Sequence, residues 1–211
     1  ERINSPLLKK GYDGQLPVVI CSLGDASVTE GEVSEAFQFA ALHQLPIIYL
    51  VQDNDWGISV TADEARTNNA FEFIQGFKGI NSTSINGSDF RASFTAMEEV
   101  IEHVRTNRQP WLVHAKVPLL GHHTSGVRKE FYRTTQNLAK HFEDDPVPKL
   151  RSILLQFGVD EIELQNIERE TAEEVKKDFD AAVASPEPNA STVSNYVFAA
   201  TEIVEEKGER N

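Results

Sequence analysis

The chain reads as an α/β protein built on a parallel sheet with helices on both faces, and three observations predict this. Short β-branched runs without polar alternation recur along it, as in strands covered on both sides. Segments with helical apolar spacing separate those runs, and a polar loop follows nearly every run at its carboxyl end. At 211 residues and 40% hydrophobic, the chain can bury a core of its own.

The elements follow in order. "LPVVICSL" (residues 16–23) is the first strand. Thr29 and Glu32 have the form of a capping box, and Val33, Ala36, Phe37, Ala40 and Ala41 recur at helical spacing behind them. Leu45-Pro46 stops that helix, and "IIYLV" (residues 47–51) completes a βαβ unit. A weaker strand lies at "STSI" (residues 82–85), turned by "NGSD" into a helix with Phe90, Phe94, Met97, Ile101 and Val104 on one side. "WLVHAKV" (residues 111–117) is the fourth strand. Residues 150–185 read as two helices broken at Gly158, the second charged over most of its surface, and "SPEPNAS" ends it. The organisation expected is a domain over 1–185, lacking part of its amino-terminal side, and a linker or tail over 186–211. Without a starting Met, Glu1 reads as the cut end of something longer.

Composition narrows the function. A net charge of -13 and a pI near 4.9 repel nucleic acid and anionic membrane surfaces, so partners should be neutral, basic or recruited through a metal. No run reaches the ~18 apolar residues of a membrane span. The single Cys21 has no partner for an internal disulfide; it reads as a small core residue and fits a reducing, cytoplasmic setting.

Parallel strands joined by right-handed crossovers place the loops after their carboxyl ends along one sheet edge, where ligands of open α/β sheets bind. Three loops converge there: "GDAS", "QDNDWGIS" and "LLGHHTSG". Gly24 lets the backbone pass close to a ligand, and the helix behind it suits a phosphate. Asp25 offers an anionic oxygen, Asn54 an amide oxygen, and a backbone carbonyl two residues on a third. With two phosphate oxygens and a water they would fill the near-octahedral shell of magnesium. The alternative is that Asp25 and Asn54 only serve turns and caps. Adjacent His122 and His123 raise zinc, but their loop has no Cys and no carboxylate at ligand spacing.

"GDAS" and the asparagine of "QDNDWGIS" together resemble the thiamine-diphosphate signature, a Gly-Asp-Gly followed some two dozen residues on by an asparagine pair. With "EGEVSEAFQFAALHQLPIIYLVQDNDWGIS", "RTNN", "INGSD", "GHHTSG" and "FYR" in order, residues 16–188 are similar to the α subunit, or α portion, of the E1 component of 2-oxo acid dehydrogenase complexes. The "GHH" loop is shared with the branched-chain type. The resemblance implies a thiamine-diphosphate-binding fold that decarboxylates a 2-oxo acid oxidatively and transfers the acyl group to lipoamide. It implies thiamine diphosphate and Mg2+ as cofactors. Asp25, the Asn54 side chain and the Trp56 carbonyl match the Mg2+ ligands. Gly24, with the amides of Ala26 and Ser27, matches the diphosphate-binding turn, and Ile58 the apolar prop of the bent cofactor. His122 matches the active-site histidine, and Tyr132 and Arg133 a pair that orders its loop. His43, His103, His114 and His141 read as structural or solvent-facing.

The implied partners are an E1 β subunit or a β portion of the same polypeptide, the lipoyl domain of E2, and copies of itself in a homo-oligomer or α2β2-like assembly. The sequence departs from the pattern at Ala26, Asp53 and Gly126, which replace a glycine, an asparagine and an aspartate. The glutamate that protonates the aminopyrimidine belongs to the β portion in this family, and no residue here fills that role. Two further readings stay open: a catalytically silent assembly module, and a transketolase-like thiamine enzyme, against which the "GHHTSG" loop speaks.

Overall fold

The computed structural model describes residues 16–195, apart from 125, together with 197. The chain divides between Gly158 and Val159 into two compact units. The first is a four-stranded sheet in the order β1-β2-β6-β5, every pairing parallel. Its strands are β1 (Val19–Gly24), β2 (Ile47–Asp53), β5 (Asn81–Asn86) and β6 (Trp111–Lys116). A two-residue-per-strand hairpin, β3 (Trp56–Gly57) and β4 (Val60–Thr61), stands beyond the end of β2.

Helices cover both faces, as the alternating pattern requires. On one face α1 (Gly31–His43) and the short α3 (Ala70–Ile74) bring Phe37, Ala40, Ala70 and Ile74 onto Tyr49, Val51 and Leu112. Phe37 meets the Tyr49 ring edge-on, with centroids 4.8 Å apart. On the other face α4 (Phe90–Asn107) packs Val100 and Val104 against Ile48 and Val113. At the end of β5, Gly87 passes so close to β6 that an added Cβ would lie 2.5 Å from Val117 Cγ1.

Four expectations are corrected here. β1 is not covered on both faces: it is the outer strand of the described sheet, leaving Val19 and Ile20 about half exposed. It also starts later than residue 16, because the Leu16 and Pro17 carbonyls accept from Arg105 Nε and Arg108 Nη1 instead of a strand neighbour. Thr29 and Glu32 form no capping box. The Thr29 hydroxyl donates back to the Ala26 carbonyl at 2.9 Å, closing a 3-10 turn over Ala26–Thr29, and α1 begins only after Glu30. Capping boxes occur instead at Thr61–Glu64 and Asn69–Glu72, opening α2 (Ala62–Ala65) and α3. Finally, Phe90 and Phe94 stack on each other at the exposed start of α4, and its buried stripe runs through Val100 and Val104.

After β6 the chain forms α5 (Thr135–Glu143) and α6 (Pro146–Gln156), the latter opened by Pro146 and the Asp145 cap. Gly158, at φ 87, ends it in the left-handed conformation glycine tolerates. The second unit contains α7 (Glu161–Val183), whose exposed surface carries Arg169–Glu173 and Lys176–Asp180 pairs one turn apart. The helix break at Gly158 is therefore as the sequence indicates. Of the expected tail, a 3-10 turn at Ala190–Thr192 is described, while residues 196 and 198–211 lie outside the described residues, as do 1–15.

Candidate functional site

The register of the sheet sets the site. Gly24 pairs with Gln52 and Asp53 with Lys116, so Asp25, Asp53 and Lys116 stand near one another at the carboxyl ends of three adjacent strands. Asp25 and Asp53 are almost completely buried, and one side chain, Arg66, serves both: its Nη2 lies 2.6 Å from Asp25 Oδ2 and 3.2 Å from Asp53 Oδ1. Arg66 sits in extended backbone between the two capped helices α2 and α3, its own N–H donating to the Ala62 carbonyl, so its approach to the carboxylates is fixed locally.

Asp53 is the better satisfied of the pair. It accepts from His114 Nε2 at 2.8 Å and from the Asp55 amide at 3.0 Å, and Lys116 Nζ stands 3.6 Å away. Ser84 Oγ donates to His114 Nδ1 at 2.9 Å, a pattern that the imidazole with its proton on Nε2 satisfies at both nitrogens. Burial would push the Asp53 carboxyl up, but the His114 bond, the Asp55 amide and the two cations overcome it and hold it well below the usual carboxylate range. Asp25 differs. Burial and the neighbouring Asp53 charge raise it, against the pull of Arg66. Arg66 is the ion-pair partner of the Asp25 Oδ2 oxygen, which is buried and makes no other hydrogen bond among the described residues.

The second loop contributes Asn54, Trp56 and Ile58. Asn54 Oδ1 accepts from the Trp56 amide at 3.0 Å, so Asn54 does serve a turn, with one lone pair of that oxygen still open. Ile58 adopts φ 59 and is 46% exposed. A β-branched residue there is a strained exception, held at the turn of the β3–β4 hairpin. Gly57 faces Ala26: an added Cβ at 57 would lie 3.1 Å from the Ala26 methyl, so the alanine at the second signature position is accommodated by a glycine across from it. Ala26 and Ser27 open the 3-10 turn, whose geometry gives their amides no acceptor within the turn.

The histidine loop is held from behind. Leu119 N–H donates to His141 Nδ1 at 2.9 Å, the Leu119 carbonyl accepts from Arg133 Nη1 at 3.0 Å, and the Leu120 carbonyl accepts from Lys129 Nζ. Burial lowers the His141 and Arg133 pKa values. The Lys129 amide donates to His122 Nδ1 at 3.3 Å, which leaves Nε2 as the nitrogen available for chemistry. Trp56 joins this loop to the second: the Arg133 guanidinium lies 5.3 Å from its ring and the Tyr132 ring 5.5 Å. The structure thus brings Asp25, Asn54, Trp56 and the base of the His122 loop to one sheet edge. His122 and His123 are both exposed, and His122 is held from within its own loop by the Lys129 amide.

These groups suit a divalent cation carrying a diphosphate: a buried carboxylate, an amide oxygen and the amides that open a turn, gathered at adjacent strand ends. Comparison with known proteins gives the family. The model of the family described as dehydrogenase E1 component matches residues 6–191. The chain belongs to this family. The E1 chain is 29% identical over 190 residues to the pyruvate dehydrogenase E1 component subunit alpha of Rickettsia bellii (strain RML369-C), covering 89% of this chain and 57% of the relative. It is 28% identical over 183 residues to the mitochondrial 2-oxoisovalerate dehydrogenase subunit alpha of Homo sapiens, covering 86% and 41%. The 3-methyl-2-oxobutanoate dehydrogenase subunit alpha of Mycobacterium tuberculosis (strain CDC 1551 / Oshkosh) is 30% identical over 186 residues, covering 86% and 50%. The E1 chain spans about half the length of the curated relatives it matches.

The sequence does not single out Arg66, Lys116 or Lys129, while His114 and His141 are structural, as expected, through Asp53 and the Leu119 amide. A signal existed for the first: a carboxylate at position 53 in a buried loop calls for a cation, and "RTNN" carries one. Nothing in the sequence chooses Arg66 over Lys116 for that task.

Proposed function

We propose that this E1 chain is the α portion of a thiamine-diphosphate-dependent 2-oxo acid dehydrogenase, which decarboxylates a 2-oxo acid and passes the acyl group to the lipoyl domain of an E2 partner. The convergence of the β1, β2 and β6 loops around a buried Asp25 carboxylate carries this reading. When bound, thiamine diphosphate supplies a carbanion that attacks a keto carbon and stabilises the charge left by departing CO2. The chain's own residues bind and orient. Asp25, Asn54 Oδ1 and the Trp56 carbonyl would hold Mg2+, the Ala26 and Ser27 amides beside Gly24 would bind the diphosphate, and Ile58 would supply an apolar support for the cofactor. His122, anchored through Nδ1 by the Lys129 amide, keeps Nε2 available and would donate or withdraw a proton at the reacting carbon. An E1 β subunit or β portion completes the site in an α2β2-like assembly. Relatives named for pyruvate and for branched 2-oxo acids match similarly, so the substrate class proposed is a 2-oxo acid without further choice.

The test is turnover with a lipoyl acceptor in the complete α/β assembly. His122→Ala is expected to lower it by about 10²-fold or more, the usual scale for a general acid or base. His123→Ala is expected to cost much less. Equal losses, or a larger one at His123, would move the assignment one residue along.

A further inference from the structure

Arg66 is a cation already in place where a second cation is to bind. Its side chain is 7% exposed, its Nη2 is 2.6 Å from the Asp25 oxygen, and its other ion pair runs to Asp53, which is itself 1% exposed. We infer that Arg66 keeps a free divalent cation off Asp25 until a diphosphate arrives, so that metal and diphosphate bind as a mutually dependent pair; this rests on the reading of the site given above.

The argument is electrostatic. A dication approaching Asp25 alone meets a fixed guanidinium at contact distance in a buried setting, where like charges are poorly screened. It must also draw Asp25 away from its ion-pair partner. A diphosphate changes both conditions, because its negative charge offsets Arg66 and its oxygens add ligands to the metal. Asp53 makes the arrangement durable. With an asparagine there, Arg66 would have a single carboxylate to hold. With Asp53 anchored by His114 and the Asp55 amide, the guanidinium has a permanent second partner and stays at the site. Lys116 does not substitute for it, since it is half exposed and bonded chiefly to Asp55. Binding free energies are reciprocal, so the factor by which diphosphate strengthens the metal is also the factor by which metal strengthens the diphosphate.

The double variant Asp53→Asn/Arg66→Gln tests this without leaving Asp53 a buried carboxylate stripped of its guanidinium partner. It retains the single net negative charge of the Asp25–Arg66–Asp53 trio and an acceptor for His114. Arg66→Lys is the conservative partner. Mn2+ binding is measured in the complete E1 protein by the loss of the free-ion paramagnetic resonance signal, with and without thiamine diphosphate. The wild type is expected to bind Mn2+ weakly alone and more tightly with thiamine diphosphate. The double variant is expected to bind Mn2+ alone about tenfold more tightly than wild type, with a smaller gain on adding thiamine diphosphate. Arg66→Lys should behave like wild type. Equal or weaker Mn2+ binding by the double variant, with diphosphate-dependent binding intact, overturns the role of Arg66 alone. No Mn2+ binding by any of the three with thiamine diphosphate present overturns the reading of the site, and this inference with it.

Discussion

At residue 53 a carboxylate replaces the first amide of the family's asparagine pair, and the structure shows how a buried charge is tolerated there. His114, Arg66, Lys116 and the Asp55 amide surround it, so its charge is neutralised locally instead of facing a diphosphate. Ile58, a few residues on, is costly in a different way. A left-handed conformation at a β-branched residue costs of order 1–3 kcal/mol, and nearly half of this side chain is exposed, so packing returns little of it. Ile58→Gly should therefore raise stability to unfolding by about 1 kcal/mol. The same change should weaken thiamine diphosphate binding in the complete assembly. Thermal melts and a cofactor titration check the pair, and a destabilised variant with unchanged cofactor affinity would remove Ile58 from the site. The placement of Asp25, Asn54 and Trp56 at one sheet edge was legible in the sequence because each follows the end of a strand. Arg66 was not, because its role depends on a bridge between β1 and β2 that spacing alone does not reveal.

At the scale of elements, strands β2 and β6 were nearly complete in the sequence because they lie inside the sheet and must be apolar on both faces. β1 has the same composition yet lies at the edge, and composition does not distinguish the two positions. The capping box failed for a related reason: the Thr29 hydroxyl had a nearer acceptor in the Ala26 carbonyl. The α5 residue His141, unremarkable in sequence, props the loop that carries His122. Its folded pKa lies below the ordinary histidine value, through burial first and then the nearby Arg133. The unfolded chain therefore takes up this proton more readily than the folded one. The Leu119 N–H···His141 contact is fully present above the ordinary histidine pKa of about 6.5 and is lost as pH falls through the lower folded value. His141→Gln keeps an acceptor for Leu119 and does not titrate, so it should lose less stability than wild type between neutral pH and about pH 5. Melting curves across that range decide it, and identical pH dependence in the two proteins would show that His141 does not brace the loop.

For the whole molecule, the parallel sheet collects three loops from distant parts of the sequence at one edge, and the family match over residues 6–191 gives that edge its meaning. Among the described residues no helix is long and apolar enough to cross a membrane. Val19 and Ile20 of β1 are half exposed, and the chain spans about half of its relatives' length. Asp25, Asn54 Oδ1 and the Trp56 carbonyl are proposed to hold one metal ion against a diphosphate. A crystal structure of the complete E1 assembly with thiamine diphosphate and Mg2+ measures this directly. One ion is expected with all three of those oxygens at roughly 2.0–2.1 Å, and the diphosphate against the Ala26 and Ser27 amides. An ion held without Asp25, with the Arg66–Asp25 pair intact beneath a bound cofactor, would contradict it.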